Sequence, residues 1–257
     1  HVIKYRLPRN IIARMQSLEY DRSFLAARIL LDKINANMII SGAFGLFEKK
    51  TVIAVGGYDN STMGEDMELV VRLHEFSRMN RKPYKIHFAQ DAICWSQTPE
   101  KLSELCKQRK RWQRGLFQCM WGHRKMLANP RYGAVGLLSY LYFLLYELLS
   151  PFIELLGVLT MVLSVVMDML NVKFMLVFLA CYALYGILLT LTAYFSRIYT
   201  IDQRLSFREL ILAIIACFFE TTFLRFSLAF VRATAFVGYK KNKLNWGKLE
   251  RKKMNKI

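Results

Sequence analysis

Apolar positions recur at helical spacing across residues 10–33, with Ile11, Ile12, Met15, Leu18, Leu25, Ile29 and Leu30 on one stripe, and this period predicts an amphipathic helix. Residues 38–47 are instead mostly apolar and carry Gly42 and Gly45, which predicts a buried strand or a tight backbone approach. Residues 52–58 end in Gly56 and Gly57, a turn signal, and a polar loop follows over 59–63. The helical period resumes at Gly64 and Glu65, with Met67, Leu69, Val70 and Leu73 as its apolar positions. Residues 84–88 and 92–95 read as two short strands. Thr98 as cap, Pro99 and the acid Glu100 then predict a helix opening. A basic, aromatic-bearing helix or helix pair continues to about residue 125, with Leu102, Leu105, Trp112, Leu116, Phe117 and Trp121 along it.

The pattern changes after residue 132. Up to residue 195 the only charged side chains are Glu147, Glu154, Asp168 and Lys173. Stretches of roughly 18 or more apolar residues suit a hydrocarbon core of about 30 Å, so a purely soluble, fibrous or disordered chain is excluded. Residues 137–167 hold two carboxylates before the end of the run and Pro151 in their middle. A kinked long helix and a re-entrant or interfacial segment followed by a span are both compatible with that pattern. Residues 174–195 carry no charge and form the clearest span. A third segment, 210–224 with an extension to 237, is interrupted by Glu220 and Arg225. If the basic segment before 132 and the basic tail are both cytoplasmic, the crossings between them are even in number. Either one segment does not cross or 137–167 crosses twice, and Pro151 with the two acids favours 137–167 as the segment that does not cross.

The 257 residues carry 37 Lys and Arg against 19 Asp and Glu, a net charge of +18. Such an excess serves nucleic acid, anionic lipid or a phosphorylated substrate, and in a membrane protein it marks the cytoplasmic side. Cysteines at 94, 106, 119, 181 and 217 form no CxxC pair and read as free thiols. Histidines 1, 74, 87 and 123 have no ligand spacing and read as surface or satisfied polar residues. The chain starts at His1 without a leader pattern, as the middle of something longer would.

Two constellations carry chemistry. Glu65 and Asp66, in MGEDMEL, sit at a loop-to-helix junction, where the helix amino end favours a carboxylate. An ionised carboxylate takes a proton from a hydroxyl held within hydrogen-bond reach; an ordinary capping acid is the alternative. Gln108, Arg111 and Trp112, in QRKRW, share one helical face. Arginine offers phosphate a rigid donor fork, glutamine adds an amide, and an indole presents a flat apolar surface to a sugar ring. A basic helix anchored at the lipid interface by tryptophan is the competing account.

Taken together, these residues and the apolar region behind them resemble the membrane-embedded, processive family 2 glycosyltransferases, the group of cellulose, chitin, hyaluronan and poly-N-acetylglucosamine synthases. Glu65 and Asp66 match the family's ED motif, and Gln108, Arg111 and Trp112 its QxxRW motif. The SGA at 41–43, GGYD at 56–59, TPE at 98–100, and NPRYG at 129–133 leading to ELLSP at 147–151 also fit. The resemblance implies an α/β GT-A glycosyltransferase domain, its carboxy-terminal part only, followed by an all-helical transmembrane region. In that scheme residues 1–99 are the end of the cytoplasmic catalytic domain, 100–132 interfacial helices, 133–237 the transmembrane region and 238–257 a basic cytoplasmic tail.

The resemblance also implies roles. Asp66 is the general base, with Glu65, Gln108, Arg111 and Trp112 binding substrate: Arg111 at the pyrophosphate of a UDP-sugar, Trp112 under the growing polysaccharide acceptor. Mg2+ or Mn2+ is expected, bound mainly by a DxD pair upstream, because no aspartate here makes DxD. Membrane lipid is a further partner, a small membrane or export subunit another, and nucleic acid is not one. The NPRYG-to-ELLSP region favours UDP-N-acetylglucosamine and a β-linked polymer at the cell membrane. Cellulose or hyaluronan synthesis, single-sugar transfer to a lipid, a non-catalytic subunit and a transporter are the alternatives. Glu147 and Glu154, seven apart, are expected to face a channel or bundle interior. Trp246, Lys248 and Arg251 in the tail read as a nucleotide cover or a headgroup anchor.

Overall fold

The computed structural model describes residues 2–4, 10–81, 85–89, 92, 94–96, 98–201 and 207–239. Strand β1 (Val2–Lys4) pairs in parallel with β2 (Cys94–Ser96), Val2 opposite Cys94 and Lys4 opposite Ser96. These are the two strands among the described residues. Residues 85–89 and 38–41 carry no regular secondary structure, so the strands that the pattern predicts there do not form.

Between the strands, helix α1 (Ile11–Arg22) opens on Asn10, whose Oδ1 accepts from the amides of Ile12 and Ala13. A π-helical turn, Ser23–Ala27, carries α1 into α2 (Arg28–Lys33), so the expected helix forms at its expected length. Its stripe is only partly the expected one. Met15 and Leu18 are buried, but Ile11 and Leu30 are exposed, and Gln16, Ser17, Asp21 and Phe24 are buried in their place. The reason is the partner. Met15 and Leu18 pack against Ala213, Ala216 and Cys217 in the carboxy-terminal helices, while Gln16 donates to the Pro99 carbonyl at 2.9 Å. Helix α3 (Lys49–Ala54) leads to Gly56 and Gly57, both at positive φ as a tight turn requires, and α4 (Glu65–Met79) follows the polar loop.

Helix α5 (Leu102–Gly122) is one continuous helix, and it opens at Leu102 rather than at Pro99. The Pro99 and Glu100 carbonyls, which a helix would use, accept from Gln16 and Asn10 instead. The main core lies where α4 and α5 meet the chain after residue 126, around Met67, Val71, Cys119, Met120, Met126, Tyr132, Val135 and Tyr140. A buried hydrogen bond of 2.5 Å from the Ser139 hydroxyl to the Ala36 carbonyl closes it on one side.

The apolar region begins with α6 (Tyr140–Tyr142) set between π-helical turns, Val135–Ser139 and Phe143–Leu148, and continues in α7 (Ser150–Val166). The pair Val135–Leu148 and Ser150–Val166 is bent by 46°, the geometry of a broken span or a re-entrant segment. Pro151 stands in the first turn of α7, where its missing N–H and ring are tolerated. Helix α8 (Val172–Ile201) has 30 residues, and Val172–Leu189 within it is long and apolar enough to cross a membrane, almost none of it covered by the rest of the chain. Helix α9 (Phe207–Phe219), a π-helical turn Glu220–Leu224 and α10 (Arg225–Ala233) complete the described fold. The basic tail, with Trp246, Lys248 and Arg251, lies outside the described residues.

Candidate active site

Glu65 and Asp66 form the first turn of α4, as their sequence position predicts. Asp66 Oδ1 accepts from the Met67 amide at 2.8 Å, and Oδ2 accepts from the Gly42 amide at 3.0 Å. The second bond explains the glycine. A Cβ at residue 42 would sit 3.3 Å from that oxygen, so of the two readings of residues 38–47 the tight backbone approach is the one observed. Asp66 is thereby fixed in place, and the residue is half-buried. Glu65 differs: partial burial holds its carboxyl above the usual range, the neighbouring Asp66 charge adds to this, and its own amide and Arg111 oppose it. Arg28, on α2, lies within electrostatic reach of Asp66 and of Glu147. Burial pulls its guanidinium down to about 10 against those carboxylates and Tyr142.

Helix α5 carries the second constellation against α4. Gly64 and Gly115 meet backbone to backbone, and a Cβ on Gly115 would lie 2.8 Å from the Gly64 nitrogen. Gln118, one turn further, accepts from the Met63 amide at 2.8 Å and the Thr62 hydroxyl at 3.2 Å. The loop that launches the acidic pair is therefore clamped to the helix that bears Arg111 and Trp112, and Arg111 comes within electrostatic reach of Glu65. The turn at Gly56 and Gly57 is pinned beside it by Arg72, whose fork donates to the Val55 and Gly57 carbonyls and to Glu68.

Trp112 faces towards α1. Trp112 is 40% exposed, and its ring lies 6.3 Å from that of Tyr20. Gln108 has a buried Oε1 with no hydrogen-bond partner, an acceptor of the kind a bound hydroxyl satisfies. Three groups escaped the sequence reading. Gly115 was legible as a lone glycine inside a helical pattern, a usual sign of close approach. Glu19 and Arg109, joined by two short ion-pair bonds, left no local signal.

Glu147 and Glu154 do not share an open face. The bend separates them, and each finds an arginine of α10: Arg225 donates to Glu154 at 2.8 Å, and Arg232 lies 3.7 Å from the Glu147 carboxylate. The described histidines are satisfied as expected, His74 on the Asn37 carbonyl, His87 on Asp32, and His123 between Glu68 and Glu75, while His1 lies outside the described residues. No disulfide joins the cysteines. Among the described residues no group of three or more His, Cys, Asp or Glu side chains is placed to hold a metal ion.

Residues 1–237 match glycosyl transferase family group 2. Over 120 residues, 47% of its length, the chain is 32% identical to the poly-beta-1,6-N-acetyl-D-glucosamine synthase of Staphylococcus aureus strain COL. Over the same length it is 31% identical to the synthase of that name from Staphylococcus epidermidis. The matched stretch spans 26% of each relative. No solved structure matches the chain. The chain therefore belongs to glycosyl transferase family group 2, and glycosyltransferase is the enzyme class that this membership carries.

Proposed function

We propose that this chain is the acceptor-side portion of an inverting, processive glycosyltransferase that polymerises a UDP-sugar, UDP-N-acetylglucosamine as first choice, into a β-linked polysaccharide and passes it into the membrane. The observation that carries the reading is the Gly64–Gly115 crossing, which brings an acidic pair at a helix amino end against a helix bearing Arg111 and Trp112. The similarity to poly-beta-1,6-N-acetyl-D-glucosamine synthases supports the choice of sugar.

In this reading Asp66 accepts the proton of the acceptor hydroxyl as that oxygen bonds to the anomeric carbon and the bond to the diphosphate breaks on the opposite side. One in-line displacement inverts the centre, so an α-linked donor yields a β-linked product. Gly42 holds Asp66 in place, since a base must be oriented before its basicity counts. Arg111 binds the leaving diphosphate, Glu65 and the free Gln108 oxygen bind sugar or ribose hydroxyls, and Trp112 supports the acceptor ring. Helix α8 and the bent α6–α7 pair give the membrane contact.

The test is incorporation of radiolabel from UDP-N-acetylglucosamine by the complete protein in membrane vesicles. Label in an alcohol-insoluble polymer that β-hexosaminidase digests is the expected result. Label confined to the lipid extract would mean single-sugar transfer, and no transfer from any UDP-sugar would overturn the reading.

A further inference from the structure

We propose that Arg109, gripped by Glu19, is a positioning residue that fixes the plane of the Trp112 indole for the acceptor sugar. The inference rests on the acceptor role given to Trp112 above.

Three residues before Trp112 on α5, Arg109 turns its guanidinium under the indole, 4.7 Å from the ring centroid. Both terminal nitrogens of Arg109 donate to Glu19 on α1, at 2.6 and 2.5 Å, so the planar fork has one orientation. The Arg109 side chain is 8% exposed and that of Glu19 31%. Tyr20, next to Glu19, approaches the indole from the same helix. Burial alone would push the Glu19 carboxyl up, but Arg109, Arg22 and Arg232 outweigh it and keep the carboxylate charged. A tryptophan exposed on a helix would otherwise sample several staggered rotamers. Here a charged plane, itself locked by two bonds, lies against one side of the ring, while two-fifths of the residue remains open. Cation–π attraction holds one face of the ring against the guanidinium and leaves the other available to a sugar's C–H face. Arg109 belongs to the same QRKRW run as Arg111, yet it faces α1 and not Glu65, so the two arginines have separate tasks.

The experiment uses the complete protein in detergent, with Trp112→Ala, Arg109→Met, Arg109→Lys, Glu19→Gln and the double variant Arg109→Met/Trp112→Ala. Turnover and donor KM are measured beside acrylamide quenching of Trp112, isolated by difference from Trp112→Phe. Since a misplaced reacting group costs up to ~100-fold, Arg109→Met and Glu19→Gln should lower kcat about 10-fold with donor KM within about twofold, and quenching should rise. Arg109→Lys should recover part of both, and the double variant should be no worse than Trp112→Ala alone. If Arg109→Met does not fold, Glu19→Gln and Arg109→Lys decide by the same measurements. Unchanged kcat and quenching in those two, or additive losses in the double variant, overturn the positioning role and leave the acceptor platform standing. A Trp112→Ala variant that polymerises normally removes the platform itself, and this inference with it.

Discussion

Gln113 donates from Nε2 to the Leu148 carbonyl at 2.9 Å, and so ties the residue beside Trp112 to the break in the bent apolar helix pair. Pro151 has no N–H to give the Glu147 carbonyl four residues back, and the Phe152 amide turns to Leu149. Two carbonyls are thus freed in an apolar setting. Arg232 takes the one at Glu147, Gln113 takes the one at Leu148, and Arg232 Nε donates to Gln113 Oε1 at 2.8 Å. Helix α5, the bent pair and α10 meet in one polar knot.

Gln113→Leu should therefore destabilise the protein out of proportion to its small change in volume. It leaves the buried Leu148 carbonyl without a partner, at ~1–3 kcal/mol, and strips a bond from the part-buried Arg232 Nε. A thermal unfolding midpoint in detergent equal to that of the parent would show that water or lipid replaces the amide.

Asp66→Asn should keep the Gly42 contact through its remaining oxygen and keep nucleotide binding, but lose polymer formation by ~10²- to 10⁴-fold, as loss of a general base does. Radiolabel incorporation near the parental rate would remove Asp66 from the chemistry.

Arg111→Ala should weaken nucleotide binding, because it strips charge-assisted bonds from a diphosphate. Calorimetry with UDP reads this directly. An unchanged affinity would remove Arg111 from the diphosphate site.

Gly115→Ala should force α4 and α5 apart, since the new Cβ would lie 2.8 Å from the Gly64 nitrogen and 2.9 Å from its Cα. Overpacking of this kind costs ~1–3 kcal/mol, and activity should fall further because Asp66 moves with Gly64. Parental activity and stability together would show that the crossing relaxes freely.

His74 predicts an acid-side loss of stability. Burial, with Arg78 adding and the Asn37 carbonyl opposing, lowers its pKa from 6.5 to about 4. The unfolded chain gains the proton first as pH falls, so the contribution is present above pH 6.5 and lost towards pH 4, about 2 kcal/mol of it between pH 7 and pH 5. His123, raised by Glu68 and Glu75 against burial, acts in the opposite sense and stabilises on the acid side. The unfolding midpoint of His74→Gln should accordingly fall less between pH 7 and pH 5 than that of the parent. Parallel curves would show that His74 does not titrate there.

What the sequence determined by itself is whatever depends on near neighbours. The period of three to four residues placed Asp66 at the head of α4 and put Gln108, Arg111 and Trp112 on one helix, and transfer energetics marked residues 174–195 as a candidate span. Only the tertiary structure decided which faces are covered and by what. Ile11 and Leu30 are exposed and Gln16 is buried because α1 packs on α9 and on the Pro99 carbonyl, and α5 starts late because that carbonyl is already taken. The long-range pairs Glu19 with Arg109 and Arg232 with Gln113 are 90 and 119 residues apart. A hydrogen bond or ion pair at such separation depends on how helices cross, and the crossing is set by local details such as the bare backbones of Gly64 and Gly115, which no repeat in the sequence encodes.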